Sequence, residues 1–160
     1  MKPVLAVVSR VSRVLHDVAG AALTFMMCIT VVDVLGRATG HPVMGTYEIV
    51  GLTGAVVIGF AVPFTSWDKG HIYMEFVLDR LSKSHRNLLL IFTRLLCIVL
   101  FIFIGYNLLQ VAADYRRAGE VSATLLIPIF PVAYGVAVCC FIECAVFLCD
   151  IVRIWEGTYE

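Results

Sequence analysis

Long runs of apolar side chains, broken by short polar connections, dominate the sequence. Four of them stand apart: from about Leu15 to Leu35, with no charge between Val18 and Val32, from about Tyr47 to Ser66, from about Leu88 to Ala113, and from about Ala123 to Cys149. A helix needs roughly 20 mainly apolar residues to cross the hydrocarbon core of a bilayer. Without water there, backbone groups must pair within their own segment, so each run predicts an α-helix. The expected fold class is an all-α membrane protein with four transmembrane helices.

The connection between the second and third spans has a pattern of its own. Residues 70–86 read GHIYMEFVLDRLSKSHR, with Ile72, Tyr73, Phe76, Val77 and Leu81 near one helical face and Glu75, Asp79 and Lys83 largely opposite. That distribution predicts an interfacial helix in the headgroup layer. Trp67, closing the second span, is an expected interfacial anchor, with His71, Ile72 and Phe76 beside it. Pro128 and Pro131 open the fourth span, so a kinked or irregular start is expected there, with Ser122 as a helix cap. No repeat, low-complexity tract or second domain is visible, and residues 1–160 read as a single membrane domain.

Composition strengthens this reading. Hydrophobic residues make up 61% of the chain and charged ones 15%, against roughly 25% charged in soluble domains. A small soluble domain buries only about two-thirds of its surface and has no room for this excess, which must face lipid. Twelve basic and twelve acidic residues cancel, and no basic stripe suits nucleic acid. The basic residues are distributed unevenly. Lys2, Arg10 and Arg13 precede the first span, Lys69, Arg80, Lys83 and Arg86 lie between the second and third, and Arg153 follows the fourth; the other side holds Arg37, Arg116 and Arg117. The positive-inside rule then places both termini and the middle connection in the cytoplasm. The first apolar run exceeds the usual signal-peptide core and lacks a small-x-small cleavage site, so a retained signal anchor is expected.

Candidate chemistry is sparse. The six cysteines (Cys28, Cys97, Cys139, Cys140, Cys144 and Cys149) lie in apolar runs and read as small packing residues. Cys140, Glu143 and Cys144 share a helical face, but no histidine joins them and thiolates are costly in lipid, so no metal is expected. Arg94, about two turns into the third span, is expected to snorkel to the headgroups. Asp33, Arg37 and Glu48 flank the first extracytoplasmic turn and are expected to form an ion-pair cluster, with Glu48 also favoured by a helix N-terminus. Asn107 and Gln110 suit interhelical hydrogen bonds. Glu143 lies inside the fourth span, where an ionisable group needs a partner; another helix or another subunit is the expected one, and ion coupling is the competing role. Haem ligation wants histidines within the spans, yet His16, His41, His71 and His85 fall at ends or in connections. No Walker motif, nucleophile elbow or HExxH is present. A non-enzymatic protein without a cofactor is expected.

Three stretches resemble a known family. Asp33-Val34-Leu35-Gly36-Arg37 through Gly40 leads to Tyr47-Glu48; Gly70-His71-Ile72 is followed by Leu78-Asp79-Arg80-Leu81; and Gly119 to Pro131 contains Leu126-Ile127-Pro128. In this order, on four spans, they resemble the DctQ-like small membrane subunit of tripartite ATP-independent periplasmic (TRAP) transporters. Gly45-Thr46-Tyr47 departs from the family, which often has tryptophan before the glutamate. The resemblance implies a soluble periplasmic binding protein, a large multi-span subunit carrying the substrate and sodium sites, and uptake of small organic anions such as carboxylates or sulfonates. The small subunit is then a scaffold for the large elevator-type subunit; a chain ending at Glu160 without a linker gives the expectation that the large subunit is a separate polypeptide. Small residues on the second span (Gly51, Gly54, Ala55 and Gly59) suit close helix packing, against a sister span or the large subunit. Arg37, Arg116 and Arg117 lie in the sizeable extracytoplasmic features and are docking candidates, with plain solvated loops as the competing reading. Membrane lipids complete the expected partners. The alternatives are a membrane anchor of an unrelated complex, or a self-sufficient oligomeric transporter with Glu143 as its coupling residue.

Overall fold

A computed structural model describes residues 2–68 and 83–155 of the chain, with side chains over 5–68 and 85–154. Four helices account for nearly all of it: α1 (Lys2–Ala38), α2 (Thr46–Trp67), α3 (Lys83–Ala118) and α4 (Phe130–Trp155). Each contains a stretch long and apolar enough to cross a membrane, with mean hydropathy between 1.9 and 2.8. The only strand-like pairing among the described residues is one isolated bridge, Val121 with Pro128. The expected interfacial helix falls outside the described residues, with its anchors His71, Ile72 and Phe76; the last part of that stretch, from Lys83, already belongs to α3.

Two helices exceed their expected spans. α1 has 37 residues and α3 has 36. At 1.5 Å per residue each is about 55 Å long, well beyond a hydrocarbon core of about 30 Å. Arginine and lysine are good helix formers, so the polar ends stay helical after the apolar run stops.

The fourth helix is displaced from its expected span, starting at Phe130 rather than near Ala123 and running on to Trp155. Residues 123–129 are apolar enough to count as span but are held in a tight loop. The amide of Ser122 donates to Ile127 O at 2.9 Å, and that of Leu126 donates to Ser122 O at 3.2 Å. Ser122 Oγ accepts the amide of Ile127 at 3.1 Å, so its hydroxyl organises this loop instead of capping the helix. Leu126 takes φ 55°, uncommon for a side chain of its size. Pro131 then occupies the first turn of α4, where a missing N–H has no helical partner to lose.

The helices touch in the order α1, α2, α4, α3, with only a slight contact between α1 and α4. α4 is central: 44% of its most apolar window is buried, against 11% for α1 and α2 and 22% for α3. Ile98, Cys144 and Phe147 form the core between α3 and α4, with Cys97, Phe101 and Ile151 packed on it. Much of α1 faces outward, as Val14, Phe25, Met27 and Val31 show. Such a surface suits lipid or a partner helix, not water.

Candidate functional site

One group of ionisable residues collects at the end of the molecule where α2 terminates. Glu143 and Asp150 are seven residues apart on α4, two turns, and therefore share a face. Both are completely buried, as is Ser66 at the end of α2, and Arg94 of α3 is 7% exposed. Arg94 Nη2 lies 3.5 Å from Asp150 Oδ2, and Arg153 Nη1 lies 3.8 Å from Asp150 Oδ1. Each guanidinium also covers an aromatic ring: Arg94 stands 5.2 Å from the Phe147 centroid, and Arg153 stands 3.9 Å from that of Trp67. Ser66 Oγ is hydrogen-bonded to Glu143 Oε1. These contacts join α2, α3 and α4 in one buried polar seam. One turn apart on α1, Ser12 is fully buried and the His16 ring stacks on Phe64 of α2 at 4.4 Å.

This arrangement differs from the sequence expectation at Arg94. Its side chain does not run out to the headgroups but is enclosed against Asp150 and Phe147. The antiparallel packing of α3 on α4 brings residues 94 and 150 to the same level, and a carboxylate is a stronger attraction than a solvated surface. Sequence reasoning missed Asp150, Ser66 and Arg153. Asp150 sat one residue beyond the expected end of the span, and Ser66 is not ionisable. The available signal was the seven-residue spacing from Glu143. Glu143 meets a sister helix of its own chain through Ser66, and Trp67 lies partly beneath Arg153.

A second cluster lies at the opposite end of α2. Arg37 Nε donates to Asp33 Oδ2 at 2.8 Å, and the guanidinium stands 5.3 Å from the Tyr47 ring. Asp33 Oδ1 accepts the amide of Val43 at 3.0 Å, fixing the turn from α1 to α2. Gly36 is needed here because a Cβ would run into the His41 carbonyl oxygen. Glu48 does not join this ion pair. Its carboxylate instead accepts the amides of Thr124 at 2.6 Å and Leu125 at 2.9 Å, from the loop before α4. That loop turns so tightly that two amides lack backbone partners, and an anion satisfies both. Gly45, at φ 77°, lies so close to Leu125 that a side chain at 45 would collide with it. The two loops at this end are therefore locked together.

The remaining candidates separate clearly. A Cβ on Gly59 would lie 2.9 Å from Val136 Cγ2, so this glycine permits close approach of α2 and α4. Gly51 and Gly54 meet nothing within 4 Å. Asn107 Nδ2 donates to Phe103 O within its own helix at 2.8 Å instead of bonding across helices. Arg116 is exposed, and Arg117 pairs loosely with Asp114 at 3.8 Å with both side chains largely in solvent. Among the described residues all six cysteines are free, and no group of three ligand-type side chains is placed to hold a metal.

Four long apolar helices, locked at one end by Glu48 and joined at the other by a buried polar seam, define a multi-pass helical membrane protein. The family of DctQ components of tripartite ATP-independent periplasmic transporters matches residues 26–157, from within α1 to just past α4, and the chain belongs to that family. No curated protein and no solved structure matches the chain at a significant level.

Proposed function

We propose that this chain is the non-catalytic small subunit of a sodium-driven, binding-protein-dependent importer of small organic anions, carboxylates or sulfonates. Family membership carries the reading. Its role is a scaffold in the inner membrane, a single membrane domain with both termini in the cytoplasm, beside a large elevator-type subunit that binds substrate and sodium. The interlocking of α2 with α4 at both of its ends supports a part that holds still.

Gly54 and Gly51 lie on open helix surface and suit close approach of a helix from the large subunit. Arg37, Arg116 and Arg117 lie at the end of the molecule where the binding protein would dock. Trp67 meets the lipid headgroups on the other side.

The test is purification of the chain from native membranes in mild detergent, with identification of what accompanies it. A stoichiometric many-span protein, and sodium-dependent anion uptake after both are reconstituted with a binding protein, is the expected result. Recovery with a redox complex, or as a pure homo-oligomer, would overturn the proposal.

A further inference from the structure

Glu143 stands apart from the other charges of the seam. None of the ion pairs among the described residues includes it. Arg94, the cation that faces it from α3, closes on Asp150, and Asp150 lies seven residues farther along α4, about 10 Å along the axis. The other groups around it are Cys140, Cys144 and Asp150 of its own helix and the Ser66 hydroxyl of α2, while His16 of α1 is stacked on Phe64. At Glu143 the fields of Arg94 and Asp150 oppose one another. Its side chain is completely buried, and Oε2 has no hydrogen-bond partner among the described residues.

An ionised carboxylate only accepts hydrogen bonds. Leaving one of its oxygens bare in apolar surroundings costs far more than leaving bare the carbonyl oxygen of a neutral acid. We propose that Glu143 is a proton-binding site: at neutral pH it carries a proton, and the neutral acid ties α4 to the Ser66 hydroxyl of α2. With the proton on Oε1 the hydroxyl accepts it, and Oε2 becomes an uncharged carbonyl oxygen. Loss of the proton leaves an uncompensated negative charge between α2 and α4 and loosens that contact. The tie is therefore complete at low and neutral pH and weakens as pH rises.

Infrared difference spectroscopy on the protein, purified with whatever chains accompany it, tests this directly. The expected result is a protonated-carboxylic-acid carbonyl band at neutral pH that moves in heavy water, fades on alkalinisation and is missing from Glu143→Gln. Glu143→Gln, which mimics the neutral acid, should keep its thermal stability and lose the alkaline destabilisation. A wild-type protein without the band, or a band that survives in Glu143→Gln, would overturn the proposal. Should Glu143→Gln fail to assemble, Ser66→Ala decides: its removal of the hydrogen bond must move the band, and an unmoved band refutes the assignment.

Discussion

Arg94 of α3 faces Asp150 of α4 across 3.5 Å, and the two side chains are 8% and 0% exposed. Taking two charges out of water is costly, but separating them after burial costs more, because the survivor is left uncompensated. Arg94→Met or Asp150→Asn alone should destabilise the protein by about 3–5 kcal/mol. The double variant should recover a large part of that loss. Thermal unfolding in detergent checks it, and additive losses would show that the two residues act independently.

Glu48 makes a different kind of contact, receiving two amides of a loop more than seventy residues away. Glu48→Ala should leave those amides unpaired at a cost of about 1–3 kcal/mol. Hydrogen exchange should accelerate at Thr124 and Leu125 while the middle of α4 keeps its protection. Equal acceleration throughout α4 would contradict the local clamp.

The glycines of α2 separate internal packing from assembly. Gly59→Leu drives a side chain into Val136 and should destabilise the chain itself by about 1–3 kcal/mol. A Cβ at Gly54 has nothing within 4 Å, so Gly54→Leu should cost the chain itself much less than Gly59→Leu. If α2 packs against the large subunit there, the same variant should reduce co-purification of that subunit. Undiminished yield of the complex would remove Gly54 from the interface.

Reversal of Arg116 and Arg117 to glutamate should change stability by no more than about 0.5 kcal/mol, since both are surface positions and the Arg117–Asp114 pair is solvated. Uptake and binding-protein docking should weaken, most clearly at low salt, where exposed charges act over the longest range. Unchanged docking would leave this loop as a plain solvated connection.

The spans were legible in the sequence because hydrocarbon permits so few structures: a long apolar run must be helical. The start of α4 was not. Leu125, Leu126, Ile127 and Ile129 are as apolar as any span, and hydropathy cannot detect the turn that Ser122 builds around them. Glu143 announced itself as a lone ionisable residue, but its partner Ser66 carries no charge and sits on another helix. The pairing of Arg94 with Asp150 depends on the vertical register of two antiparallel helices, which no periodicity within either one specifies. Glu48 was correctly placed at a helix start, yet its ligands are backbone amides, which every sequence possesses and none displays.

The contact order α1, α2, α4, α3 resembles springs joined in series. A lateral force applied at α3 reaches α1 chiefly through the α2–α4 junction, so the stiffness of the whole is limited by that middle link. Glu48 holds the junction at one end of α2, and Ser66 with Trp67 holds it at the other, with Gly59 allowing tight contact between them. Two fastenings at opposite ends resist rocking as well as separation, whereas one would serve only as a pivot.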